Sequence, residues 1–141
     1  MGVLIGIDFG NKRTGLAHSD SEKIIASGLT TLESNKVIPF LSNYQKEMEI
    51  EKFVVGQPKQ RDGNYSKVEK EILLFLIKLQ NAFPKVPIAR VDERFTSKIA
   101  FNSLIQTGAK KKTRKNKALL DEISATLILQ SFLESNSKPV L

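Results

Sequence analysis

The stretch Gly6–Asp20, GIDFGNKRTGLAHSD, decides how this chain is read. It begins inside an apolar run, Val3 to Asp8, of the kind shown by a strand buried on both faces. The chain then turns through FGNKR and returns as a second strand, Thr14 to Ser19. So short a join makes the pair antiparallel. A buried strand therefore ends in an acid, Asp8, with two cations, Lys12 and Arg13, in the turn beside it. The turn does not need Asp8, since Gly10 and Gly15 already serve it. Gly10 and Gly15 have the spacing of a phosphate-binding P-loop, but Leu16 stands at the lysine position and a strand follows in place of a helix. That class is excluded. His18, the single histidine, reads as a structural imidazole in preference to a base.

Working outward, Ile24 to Leu32 is a third strand, which completes an antiparallel meander. Val37, Phe40, Leu41, Tyr44 and Met48 recur at helical spacing and predict a helix over Lys36 to Glu49. KFVVG is a short buried strand ending at Gly56, and QPKQRDGN after it is a loop. A second helix is predicted from Tyr65 to Ala82, with Val68, Ile72, Phe75, Leu76 and Leu79 as its buried stripe. VPIARVDE is the fifth strand. A helix from Thr96 to Gln106 follows, stopped by Gly108, and a last helix spans Ala118 to Leu133. A meander followed by βαβ units gives a mixed five-stranded sheet, three antiparallel strands plus parallel ones, flanked by helices. This α/β layout is that of a ribonuclease H-like domain. It occupies residues 1–135 as a single unit, with a frayed tail at 136–141.

Composition narrows the chemistry. The 141 residues are 40% hydrophobic, with a mean hydropathy of −0.20. There is no cysteine, which excludes disulfides, thiolate metal sites and cysteine nucleophiles and suits a reducing compartment. No apolar run approaches the ~18 residues of a membrane span. The opening MGVLIGIDFG lacks a basic leader and a cleavage site, and so reads as a core strand. The net charge is +7, and six cations stand together: Lys110, Lys111, Lys112, Arg114, Lys115 and Lys117. Six like charges repel one another, and a polyanion partner is the reading that gives them a use.

The acids supply the rest. Asp8 ends the first strand, Asp92 and Glu93 end the last, and Asp121 lies in the first predicted turn of the final helix. Parallel strands end at one edge, where ligands of open α/β sheets bind. Carboxylates gathered there repel, and a hard cation such as magnesium (Mg²⁺) or Mn²⁺ relieves the repulsion. Two such ions can stabilise the attacking and leaving oxygens of a phosphoryl displacement. Asp92 and Glu93 point to opposite faces of a regular strand. Glu93, with the longer side chain, is preferred for the site, and the other acid would pair with Arg90 or Arg94. Asp121 has the alternative role of complementing the helix dipole. Lys12 and Arg13 would meet phosphate oxygens beside the acids.

Together GIDFGNKRTGLAHSD, VVGQPKQRDGN, VDERFTS and DEISATLILQSFL stand in the order and spacing of the YqgF family, also called RuvX. The likeness covers nearly the whole chain. It implies a ribonuclease H-like nuclease of the bacterial cytoplasm, with maturation of the 5′ end of 16S ribosomal RNA or cleavage of branched DNA as its work. The family's acidic site, catalytic and metal-holding, carries over onto Asp8, Glu93 and Asp121. Arg94 joins Lys12, Arg13 and the basic loop as a nucleic-acid contact. The chain departs from the family's usual pattern at Ser124, where a second alanine would stand beside Ala125, and in the basic KQRDG after Pro58. Structured RNA, most of all pre-16S ribosomal RNA, is the expected partner, acted on by a monomer or weak homodimer. A four-way DNA junction resolvase and a non-catalytic nucleic-acid module are the alternatives. An actin-like ATPase half, whose phosphate loop DFGNKRTG also resembles, would need a second domain.

Overall fold

The computed structural model describes residues 2–58, 68–92 and 117–137. The elements in chain order are β1 (Val3–Asp8), β2 (Arg13–Ser19), β3 (Ala26–Glu33), a 3₁₀ turn (Ser34–Lys36), α1 (Val37–Tyr44), β4 (Ile50–Gln57), α2 (Glu69–Ala82), β5 (Ile88–Asp92) and α3 (Lys117–Ser137). One sheet runs β3-β2-β1-β4-β5. The pairs β1–β2 and β2–β3 are antiparallel, and β1–β4 and β4–β5 are parallel. This is the predicted mixed sheet, with the ribonuclease H-like strand order.

Strand alternation sorts the core into two layers. Val3, Ile5 and Ile7 of β1 face α1 and α2, where they pack with Leu41, Phe53, Ile72, Phe75 and Leu79. Leu4 faces the other way, with Ala17, Val54, Ala125, Ile128 and Leu129 under α3. Gly6 lies between them, and a Cβ there would sit 2.7 Å from Leu129 Cβ and 2.8 Å from the Ala125 carbonyl oxygen. The same close approach recurs along β2 and β3. A Cβ on Gly15 would overlap the Asp121 carbonyl oxygen, and one on Gly28 the Glu122 carboxylate. Glycine lets the helix backbone rest on the strand at Gly15 and leaves room for the Glu122 side chain at Gly28.

Several predicted boundaries move, among them those of α1, α3 and β2. α1 stops at Tyr44, so Met48 falls in the following turn and is 42% exposed instead of buried. The chain must there reverse into β4, which starts at Ile50. α3 starts at Lys117 and runs to Ser137, past the predicted end near Leu133. β2 begins at Arg13, which leaves only Lys12 of the two cations in the turn. The predicted helix from Thr96 to Gln106 and the basic loop lie outside the described residues.

Candidate active site

Asp8 is the last residue of β1, and its cross-strand partner is Gly15. Alternation from Leu4 and Gly6 puts Asp8 on the α3 face. Gly15 is where the Asp121 backbone touches the sheet. Asp8 and Asp121, far apart in the chain, thus both adjoin Gly15, which leaves room for the helix. Asp121 stands in the second turn of α3. The macrodipole fades beyond the first turn, which weakens the reading of Asp121 as a mere helix-end charge.

Arg13 takes part directly. Its Nε donates to Asp121 Oδ2 at 3.0 Å, with the side chains 40% and 27% exposed. A pair so open to water adds little stability. Its consequence is positional, since the first cation of β2 is held beside the acid. Lys12 stays exposed in the turn.

The turn itself is tied down by a residue that sequence reasoning missed. Ser34 donates its hydroxyl to the Gly10 carbonyl and its amide to the Lys12 carbonyl, the latter at 3.0 Å. The buried Thr14 hydroxyl lies 2.7 Å from Ser34 Oγ and donates to it. The start of the 3₁₀ turn thus fixes the loop that carries Lys12. A serine after a strand gives no signal of this by itself, because its partners lie two strands away.

At the other side of the edge, β5 is read from its neighbours. Ile88 packs in the α1–α2 layer and Val91 in the α3 layer. Arg90 turns to α2, where it donates to Glu69 Oε1 at 2.8 Å and to the carbonyls of Gly56 and Val55 at 2.9 and 3.3 Å. Glu69 is almost fully buried and also accepts from Gln57 Nε2 at 3.2 Å. Arg90 is therefore Glu69's partner, a role the sequence could not assign. This paired charge locks the start of α2 to the ends of β4 and β5. Asp92 shares the face of Ile88 and Arg90, opposite to Asp8. Glu93, Arg94, Lys110, Lys111, Lys112, Arg114 and Lys115 lie outside the described residues, and Lys117 is described only as the first residue of α3.

His18 stands on β2 three registers from Asp8, paired with Ile5. Its Nδ1 lies 2.9 Å from the Tyr44 hydroxyl. Burial holds the imidazole below its ordinary value and pushes the Tyr44 phenol up. The contact joins β2 to α1 and is remote from the acid edge.

The donors at the edge are carboxylate oxygens, in a chain without cysteine. That chemistry fits a hard divalent cation and not a soft one. Among the described residues no three acids or histidines come together as a metal cluster, and Asp8 and Asp121 are the two of the expected set that the description includes.

A family model, RuvX, described as Holliday junction resolvase, matches residues 2–135. The chain belongs to the RuvX family. A relative from Flavobacterium psychrophilum is 52% identical over 130 residues, covering 92% of this chain and 95% of the relative. One from Bacteroides fragilis is 47% identical over 135 residues, covering 96% and 98%. Both carry the name "Putative pre-16S rRNA nuclease". Among solved structures, RuvC of T. thermophilus in complex with a Holliday junction substrate superposes with a TM-score of 0.59 at 17% identity, over the whole of both chains. A second structure of Thermus thermophilus RuvC gives 0.56 at 16%, over 98% of this chain and 99% of that one. The RuvX chain thus has the RuvC-like ribonuclease H fold. No described helix is long and apolar enough to cross a membrane.

Proposed function

We propose that this RuvX protein is a metal-dependent endonuclease that hydrolyses a phosphodiester in structured RNA, with the 5′ precursor of 16S ribosomal RNA as substrate. The observation that supports the reading is that Asp8 and Asp121 both adjoin Gly15, with Arg13 paired to Asp121 and Lys12 in the neighbouring turn, in a chain about half identical to relatives of that name. Asp8 and Asp121 would hold the metal, with Glu93 as the third ligand. Asp92 shares the face of Ile88 and Arg90, opposite to Asp8, which argues against Asp92 as that ligand. A bound divalent cation supplies Lewis acidity toward the phosphoryl oxygens and lowers the pKa of water. Lys12 and Arg13 would orient the substrate phosphate by charge-assisted hydrogen bonds. Arg94 and the cations from Lys110 to Lys117 would hold the flanking strand by its backbone, without reading its sequence.

Cleavage of a four-way DNA junction is the second reading, favoured by the description of the family model and by the RuvC-like fold. The deciding experiment gives matched pre-16S RNA and four-way junction substrates to wild type and Asp8→Asn, with Mg²⁺, with Mn²⁺ and with EDTA. Wild type is expected to cut the RNA only with metal. Asp8→Asn should fold normally and cut roughly a thousandfold more slowly, the loss of several kcal/mol of transition-state charge stabilisation. Equal cleavage by both proteins would remove Asp8 from the site. Preference for the junction would transfer the reading to DNA.

A further inference from the structure

Asp8 and Phe9 are neighbours that leave the sheet edge on opposite sides. Asp8 goes to the α3 face, whereas Phe9 stacks on Phe75 of α2, ring centroids 4.8 Å apart and 29° from parallel. Phe9 does not seal the edge. It lines an open cavity of about 380 Å³, whose apolar walls are completed by Phe75, Ile38 and Leu74. That volume suits a small ligand group. Leu74 is 62% exposed on this rim, an apolar side chain that the fold's own core does not use. The polar part of the lining is just as specific. Asn11 and Asn35 each bring an amide that both donates and accepts, and Lys78 and Glu71 stand at the α2 side. Asn11, Ser34 and Asn35 also line a second hollow, of about 370 Å³, which continues the first toward Lys12. A ring-shaped apolar slot with amides at its edge thus opens into a groove that ends at the basic turn.

We propose that this cavity is a nucleobase pocket, which takes one unstacked base of the substrate strand while its phosphates pass Lys12 toward Asp8. An aromatic floor of this kind recognises the flat face of a base, and amides recognise the edge. The charges along this path are Lys78 and Glu71 on the cavity wall, where an exocyclic amine can donate to Glu71, and Lys12 and Glu33 in the groove, with Glu33 held 3.9 Å from Lys36. Ser34 makes the pocket rigid, because it ties the Asn11 and Lys12 turn to the segment that carries Asn35. The inference rests on the nuclease reading above and adds a place where the strand is held.

The test varies the nucleic acid first, which leaves the protein intact. A fluorescent single-stranded RNA is made with abasic ribose at each position in turn. Its binding is measured in EDTA and its cleavage with Mg²⁺. One position close to the cut should stand out, weakening binding by about 5- to 100-fold as expected for loss of one stacked base. Leu74→Glu, a change at an exposed site, should weaken binding of the intact RNA and flatten the scan at that position. A purely electrostatic effect of the new carboxylate would weaken every RNA equally and keep the step. Asp8→Asn should show the wild-type scan without cutting. A flat scan in wild type, or the same step in Leu74→Glu as in wild type, would overturn the pocket. Absence of cleavage of the structured pre-16S RNA with Mg²⁺ and with Mn²⁺ would overturn the nuclease reading instead, and the binding scan would still judge the pocket.

Discussion

The two faces of the sheet are built on different principles. On the α1–α2 face the layer is thick. Phe53, Phe75, Phe83, Ile72 and Leu79 fill the space between strands and helices, and the side chains set the spacing. On the α3 face the layer is thin. Gly6 and Gly15 bring the helix backbone onto the strands beside Ala17 and Ala125, Gly28 leaves room for the Glu122 side chain, and Leu4, Val54, Ile128 and Leu129 fill the rest. A thick layer gives stability and tolerates small shifts. A thin one leaves a helix no freedom in height, and so ties the position of Asp121 to Gly15, the strand partner of Asp8. The acids lie on the thin side and the apolar cavity opens at the edge of the thick one. The comparison predicts that damage to the first side costs chemistry and damage to the second costs stability.

Leu79→Ala tests the thick layer. Leu79 is fully buried, and its truncation should destabilise the fold by about 2–5 kcal/mol through lost transfer energy and a cavity. Urea unfolding measures this, and single-turnover cleavage by the remaining folded protein should stay near wild type. If cleavage fell in proportion to a lost layer, the two faces would not be separable. Gly15→Ala tests the thin layer. The new Cβ meets the Asp121 backbone carbonyl, which cannot turn aside as a side-chain tip can. Overpacking should cost about 1–3 kcal/mol, less than Leu79→Ala, yet cleavage should fall well beyond the loss of folded protein. Full activity in Gly15→Ala would show that the height of α3 does not set the acids.

Metal addition sharpens the same contrast at smaller scale. A cation bound at Asp8 and Asp121 at ten times its dissociation constant should stabilise wild type by about 1.4 kcal/mol. Differential scanning calorimetry with and without Mg²⁺ should show the rise in Tm in wild type and in Leu79→Ala, and a smaller rise in Asp8→Asn. An equal rise in Asp8→Asn would put the metal elsewhere.

The smallest expected effect is pH-dependent and belongs to the thick side. Burial holds His18 below its ordinary value of 6.5. The unfolded chain then binds more protons than the folded one as pH falls below 6.5, and stability declines in that window. His18→Gln should remove this decline while leaving the losses at lower pH. Those come from Asp20, held down mainly by the amides of Ile25 and Ile24, and from Glu51, held down mainly by Lys23. Their contributions are present above the ordinary carboxylate range and lost as pH falls through the depressed values. Urea midpoints from pH 7.5 to 5.5 for wild type and His18→Gln make the comparison, and parallel curves would assign the decline to another group.

Much of the architecture was legible in the residues because it is local. Apolar runs and helical spacing mark β1, β4 and α2, short joins force the meander, and Asp8 stands out because nothing in a buried strand requires an acid. The same local rules misplace the end of α1, since Met48 continues the helical spacing while the approach of β4 makes the chain turn. The signals also give Asp121 no more than a place near a helix start.

What the sequence determined, then, is the set of elements, their order and the acids at their ends, all of which follow from periodicities within a few residues. Only the tertiary structure decided that Arg13 reaches Asp121 across 108 residues, that Arg90 belongs to Glu69, that Ser34 anchors the basic turn, and that Asp92 faces away from Asp8. The physical reason is that such contacts depend on the distance between packed layers. On the α3 face that distance is set at Gly6 and Gly15 by the absence of a side chain, and an absence acquires meaning only when the helix that fills it is in place.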